Sequence, residues 1–180
     1  MHPTIEINLK RKAIYGRSAV YLVLALAFFW ALLPGPGGSE PGAVLILPIS
    51  IIWMVVLLIK EIGWLRVQDP FITLDRQGLR CGAVPFNALG AIKWEDITGC
   101  ADFSIGWNKE RYLLIHVANP EMYAAHIEIP GKRRGFMRKR RKYDDAIMWI
   151  NVAHIDYDLV ELKRSIFQRI ENFAAPTRSF

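Results

Sequence analysis

Lys132-Arg133-Arg134-Gly135-Phe136-Met137-Arg138-Lys139-Arg140-Arg141-Lys142 holds eight basic residues in eleven. The chain as a whole carries a formal charge of +6, so everything outside this run is net −2. Its positive character is therefore local. Cations at this density attract polyanions, and each Lys or Arg near an anionic leaflet contributes about 1 kcal/mol. That attraction fades within a Debye length of ~8 Å at physiological salt. Phe136 and Met137 interrupt the run, which places them to dip into a headgroup layer. The expected contact thus comprises Lys132, Arg133, Arg134, Phe136, Met137, Arg138, Lys139, Arg140, Arg141 and Lys142. Its expected occupant is anionic lipid or a membrane protein partner. Nucleic acid is not expected, because the run has little aromatic interleaving and no recognition motif accompanies it.

Few other side chains have the company that chemistry needs. Trp94-Glu95-Asp96-Ile97 sets two acids between two apolar residues. Adjacent carboxylates on a strand point to opposite faces and do not form an acid–base pair. The simpler arrangement packs Trp94 and Ile97 inward and leaves the acids at a turn. His116, His126 and His154 fall on different elements. No His-x-x-x-His or Cys-x-x-Cys spacing offers metal ligands. Cys81 and Cys100 lie on separate strands with no paired base, and read as structural thiols. No serine sits in a Gly-x-Ser-x-Gly context, and no Gly-x-x-x-x-Gly-Lys loop is present. Tyr123, just after Asn119-Pro120-Glu121, reads as an apolar anchor. The sequence predicts no enzyme, no cofactor and no metal site. A membrane-bound enzyme would need a cluster such as His116 or His154 with Glu95 or Asp96 in one deep pocket.

The elements that carry this run begin in a membrane. The chain has 180 residues, 52% hydrophobic and 22% charged, with two cysteines. That composition excludes a disordered, collagen-like or disulfide-stapled protein. Ser18–Leu33 and Gly42–Ile59 are both uncharged. The first covers roughly 24 Å as a helix, short of a ~30 Å hydrocarbon core, and extension back to Ala13 closes the gap if Arg17 snorkels. Pro48 in the second run is tolerated in membrane helices. Residues 34–41 (Pro-Gly-Pro-Gly-Gly-Ser-Glu-Pro) break the helix and reverse the chain. The prediction is a transmembrane hairpin over 13–66, with spans at about 13–33 and 42–60 and a short external loop at 34–41. Small residues in the first span, such as Gly16 and Ala19, permit close helix packing and self-association.

Lys10, Arg11, Lys12 and Arg17 flank the first span, and Lys60 and Arg66 follow the second. The loop has no basic residue. The positive-inside rule then puts both termini in the cytoplasm. Two unpaired thiols agree with a reducing compartment. Residues 1–12 form a cytoplasmic segment whose Thr4–Leu9 alternation predicts an edge strand of the soluble domain.

Residues 67–180 form that domain. Phe71–Asp75, a tight turn at Arg76-Gln77-Gly78, and Leu79–Gly82 predict a hairpin. Ala91–Trp94, Thr98–Ile105 and Arg111–Val117 predict further strands. Asn119-Pro120-Glu121 has the form of an N-cap, a proline at the first helical position and a first-turn acid. It opens a helical insert, 119–145, that Pro130-Gly131 divides before the basic run. Ile147–Asn151 and Ala153–Asp156 predict a last hairpin. Leu159, Leu162, Ile166, Ile170 and Phe173, with Phe167 alongside, recur at helical spacing, and Asp158 with Glu161 resembles a capping box. Short strands and one terminal amphipathic helix suggest a small barrel or bent sheet capped by that helix.

This order of parts resembles bacterial membrane-anchored proteins with two transmembrane helices and a C-terminal pleckstrin-homology-like (PH-like) domain. The matching features are Lys10-Arg11-Lys12 before the first span, Pro70–Leu79 (Pro-x-Ile-Thr-Leu-Asp-x-x-Gly-Leu), Lys93-Trp94-Glu95-Asp96-Ile97, and Asn119-Pro120-Glu121-x-Tyr123. A basic helical insert and a terminal helix follow. The resemblance covers nearly the whole chain. It implies a membrane α-helical hairpin plus an α+β domain, the latter a PH-like split β-barrel with a C-terminal amphipathic helix. It also implies a non-enzymatic binding or scaffolding role in the bacterial inner membrane. A structural subunit of a membrane protein complex is the alternative role.

Overall fold

The computed structural model describes residues 3–32, 43–67, 69–106 and 109–174. The expected external loop at 34–41 lies outside the described residues. The chain divides into two compact units, one of residues 10–67 and one of residues 1–9 with 68–180.

The first unit is a pair of helices, α1 (Arg11–Leu32) and α2 (Ala43–Leu65). At 22 and 23 residues they are long and apolar enough to cross a membrane. Large side chains along both face outward, among them Val23, Leu26, Phe29, Ile52, Trp53 and Ile59. Such all-round apolar exposure suits lipid rather than water. Helix α2 continues past residue 60, the expected end of the second span, to Leu65. The run ends at its first charge in sequence, but Glu61 does not stop the helix. Its carboxylate lies 3.4 Å from the Arg17 guanidinium of α1. Arg17 therefore has a partner across the helix pair instead of snorkelling alone. Arg11 donates to the carbonyls of Leu65 (3.2 Å) and Val67 (2.8 Å). It thereby caps the C-terminal end of α2, whose last carbonyls have no helical donor.

The second unit contains two antiparallel three-stranded sheets. In the first, β1 (Ile5–Ile7), β2 (Ile72–Leu74) and β3 (Leu79–Cys81) lie in that order. Ile7 is the register partner of Ile72, and Phe71 N–H donates to the Ile7 carbonyl at 2.9 Å. The predicted edge strand is thus real, and it completes a domain that 67–180 alone would leave one strand short. In chain order, the whole helical pair is the connection between two neighbouring antiparallel strands. The β2–β3 turn is closed by Asp75, whose Oδ1 accepts from Gln77 N–H (2.7 Å) and Gly78 N–H (3.0 Å). Gly78 has φ +156°, and a Cβ there would lie 2.1 Å from the Ile92 carbonyl oxygen. Only glycine fits.

The second sheet holds β4 (Ile97–Ile105), β5 (Glu110–Val117) and β6 (Met148–Asn151). Among the described residues the two sheets remain separate and form no closed barrel. Ala91–Trp94, expected as a strand, makes one isolated bridge between Ile92 and Leu79. The chain then tightens into a 3-10 turn at Trp94–Asp96, and pairing stops there. The expected last hairpin is also corrected. The Asn151 side chain accepts from Ala153 N–H at 2.9 Å and starts a 3-10 turn at Val152–His154. Ile155 then bridges to Leu9 instead of folding back on β6.

Two helices follow β5: α3 (Pro120–Ala124) and α4 (Pro130–Arg140). Asn119 caps α3 as predicted, accepting from Met122 N–H at 3.4 Å. The terminal helix α5 (Leu159–Ala174) starts at Asp158, whose Oδ1 accepts from Val160 and Glu161 N–H at 2.7 and 3.1 Å. Leu162 and Ile166 are fully buried against the β4 side of the unit. Phe167 and Phe173 are exposed and Ile170 only half-buried, so the outer part of the expected apolar stripe is not core. Arg169 takes the inner position.

Candidate basic interface

The basic run occupies α4 and a 3-10 turn at Arg141–Tyr143. Two aromatic residues seven apart, Phe136 and Tyr143, fall on one face of it. Phe136 stacks on Trp149 of β6 at 5.4 Å between ring centroids, and meets Phe86 edge-on at 6.4 Å. Tyr143 stacks on the same Trp149 at 4.8 Å and meets Tyr112 edge-on at 5.2 Å. Each such pair adds about 0.5–1.5 kcal/mol beyond the buried area. Phe136 is 4% exposed, so its expected place in a headgroup layer is overturned. It holds the segment down instead. Met137 and Arg140 are half-buried, and Arg140 pairs with Asp145 at 3.3 Å. The Lys139 ammonium lies 5.8 Å over the Trp149 ring. Lys132, Arg133, Arg134, Arg138, Lys139, Arg141 and Lys142 are exposed.

The placement of three of these charges works against the helix. α4 has no acid in its first turn, and its N-cap is Ile129, which supplies no side-chain hydrogen bond. Lys132, Arg133 and Arg134 crowd the positive end of the helix dipole, where a cation costs up to about 1 kcal/mol. Helix stability does not explain them.

A second polar cluster surrounds Trp94, which is 2% exposed. Its Nε1–H donates to the Asp75 carbonyl at 2.9 Å. Arg169 donates to the same carbonyl at 3.1 Å and to the Pro3 carbonyl, and its guanidinium lies 5.4 Å from the Trp94 ring. Burial pushes the Arg169 pKa down, while Asp75 opposes the shift. Asp96 accepts from the Tyr123 hydroxyl at 2.5 Å, and that hydroxyl accepts from Lys93 N–H at 3.1 Å. Burial, then the bond to Asp96, pushes the phenol up to about 12. The acids of the Trp94–Ile97 motif therefore part ways: Glu95 is exposed beside Lys93, and Asp96 ties the turn to α3. Tyr123 is an anchor with a polar end.

Burial pushes Cys81 up to about 12 and Cys100 up to about 11. Both thiols stay protonated near neutral pH, unsuited to nucleophilic attack. His116, His126 and His154 sit on separate elements, and among the described residues no group of three or more His, Cys, Asp or Glu is placed to hold a metal. A cleft of about 360 Å³ is lined by Gln77, Ala91, Lys93, Trp94, Glu95 and Phe173. Its one ion pair, Lys93 with Glu95, is solvated on both sides.

Sequence reasoning missed Tyr143, Trp149 and Arg169. The seven-residue spacing of Phe136 and Tyr143 was the available signal for a buried face. Compared with protein-family models, curated proteins and solved structures, the chain matches none.

Proposed function

We propose that the chain is a two-pass protein of the bacterial cytoplasmic membrane, with a PH-like cytoplasmic module that reads anionic lipid through α4 and the turn after it. The observation that carries this reading is the basic array itself. Seven exposed cations share one short segment, pinned from beneath by Phe136 and Tyr143 on Trp149. Three of them stand where they weaken their own helix. The PH-like assignment draws support from two small antiparallel sheets followed by an amphipathic terminal helix. Two-pass topology draws support from connectivity: α1 and α2 leave from neighbouring strands, β1 and β2, through short linkers. Both ends of the pair then belong on one side, and basic residues flank both. Because the module is tethered, lipid contact orients it and gathers anionic headgroups; recruitment is already done by the spans.

The test uses the full chain in nanodiscs of neutral lipid or of lipid rich in anionic headgroups. Gly131, with open space around it, is changed to Cys and carries a fluorescent donor. The acceptor sits in the headgroups. Energy transfer should rise in anionic discs, fall at high salt, and stay low when the seven exposed bases become Gln. Equal transfer in both discs would overturn the lipid reading and assign the array to an acidic protein surface.

A further inference from the structure

We infer that the lipid-facing surface includes a shallow apolar wedge of Val84, Met122 and Ile129 beside the basic segment, taking the part that the sequence assigned to Phe136. This rests on the reading of α4 as an anionic-lipid contact. It narrows the partner to a bilayer surface, which admits apolar tips between headgroups, as opposed to a soluble polyanion.

Val84 is 77% exposed, Ile129 52% and Met122 45%. They project from three elements that are tied together locally. Ile129 is the N-cap of α4, three residues before Lys132, Arg133 and Arg134 begin. Met122 lies on α3, which packs against α4. Val84 stands two residues before Phe86, whose ring meets Phe136 of α4. His126, just after α3, is bonded through Nδ1 to the Leu89 carbonyl of the same turn as Phe86, at 3.1 Å.

Single exposed apolar residues are ordinary on any surface. These three differ in their company. The other large exposed apolar residues described in this unit, Val160, Phe167 and Phe173, all lie on α5. There Glu161, Arg164 and Glu171 alternate in sign, and Lys163 is paired with Asp102 at 3.1 Å. No one-sign field builds up on that helix. Around the wedge, Glu121 and Glu128 are exposed acids, but seven exposed cations outnumber them. Apolar tips set beside a cationic array match the two layers of an anionic leaflet, phosphate outside and acyl chain beneath. An acidic protein surface offers the first layer only.

The experiment places an environment-sensitive dye on Ile129→Cys, Val84→Cys and Met122→Cys in turn, in the full chain in anionic nanodiscs. The elevated pKa values of Cys81 and Cys100 keep the native thiols slow to label. Emission should shift to the blue at all three positions, with quenching by a shallow lipid-borne quencher. Both signals should be lost in neutral discs. Dye on Val160→Cys should stay in water. If energy transfer from position 131 rises in anionic discs but no wedge position shifts, the wedge is wrong and the lipid reading stands. If neither signal responds to anionic lipid, both fail. A shift at Val160 as large as at Ile129 would also overturn the wedge, since it would make the contact unselective. Ile129→Ser combined with Val84→Ser should lower the salt concentration that releases the module; an unchanged salt midpoint counts against the wedge.

Discussion

Arg169 and Arg134 belong to the same unit and carry the same charge, yet their surroundings are opposite. Arg169 is 3% exposed and donates to two backbone carbonyls, on the N-terminal segment and on the β2–β3 turn. Arg134 is exposed on α4 near the end of the helix that repels it. The first joins segments that are distant in sequence: residue 3, residue 75 and residue 169 meet at one guanidinium. The second has no hydrogen-bond or ion-pair partner among the described residues. Charged groups placed for stability come with protein partners, because an unpaired buried charge costs several kcal/mol. Charged groups placed for an external partner come without them. On this criterion Asp96 and Tyr123 sort with Arg169, while the exposed α4 cations sort with Arg134. Arg140, half-buried and paired with Asp145, sits between the two classes.

The sharpest way to break this contrast is Arg169→Met. The substitution keeps most of the apolar stem but removes the charged donor from both carbonyls, leaving Pro3 without Arg169 and Asp75 with Trp94 Nε1–H alone. The unfolding free energy should fall by about 3 kcal/mol, read by thermal or denaturant unfolding of the full chain. Below the unfolding transition, energy transfer to anionic nanodiscs should be unchanged. Tyr123→Phe is next, at about 1–2 kcal/mol, since it leaves Asp96 and Lys93 N–H each one bond short. It also has a pH signature. The Tyr123 phenol is raised from 10.0 to about 12, so the fold favours its neutral form. Stability from this group is complete below pH 10 and is lost as pH rises from 10 toward 12. Cys81, raised from 9.0 to about 12, acts in the same direction from a lower starting point. Tyr123→Phe should therefore flatten the alkaline loss above pH 10 and leave the earlier Cys81 component in place. An unchanged slope would detach the phenol from the fold's alkaline sensitivity.

The two clusters were not equally legible in the sequence. The basic run is contiguous, so its density could be read directly. The helical pair was equally plain, because lipid selects one property over many residues. The strands with local turn signals were also readable: Asp75 and Gly78 mark their own hairpin, and Asn119 marks its own helix. The knot at Trp94 was not readable, because its bonds run between residues 3, 75, 94 and 169 and have no local signature. Arg169 is absent from the apolar stripe expected of α5, although helical periodicity places positions 166 and 169 on the same face; there the geometry overrode residue type. The strand expected at Ala91–Trp94 failed for a similar reason. A strand at Ala91–Trp94 satisfied local propensity, but Asp96 and Tyr123 hold the chain in a 3-10 turn, which ends pairing after a single bridge. Phe136 was misplaced because its neighbours in sequence are cations, while its neighbours in space are Phe86 and Trp149.

Smaller effects test the boundary of the basic segment. Asp144, with φ +51°, holds a left-handed backbone conformation just after the run, and its carboxylate lies 4.0 Å from His116 Nε2. Asp144→Gly removes a Cβ from a conformation that L residues disfavour. It should raise stability by about 0.5 kcal/mol, after the added freedom of glycine in the unfolded chain is deducted. A loss of stability would mean that the contact with His116 outweighs the backbone term.

Only a small stability effect is expected from the largest change in charge. Converting Lys132, Arg133, Arg134, Arg138, Lys139, Arg141 and Lys142 to Gln removes seven charges while keeping Phe136, Arg140 and Tyr143. Relief at the positive end of α4 and loss of favourable cations in its last turn oppose each other, each by a few tenths of a kcal/mol per residue. Glutamine has nearly the helix propensity of Lys and Arg. Lys139 also loses its contact with Trp149, worth about 0.5–1 kcal/mol where exposed. The net change should stay within about 1 kcal/mol, well below that of Arg169→Met. The same variant should abolish the response to anionic lipid, which Arg169→Met leaves intact. Seven substitutions that unfolded the domain would show that the array is part of the scaffold, and the distinction between tied and displayed charges would collapse. A folded variant that no longer distinguishes anionic from neutral discs would place the array's purpose outside the chain. The cations at the start of α4 already point that way, since no ion pair among the described residues repays their cost.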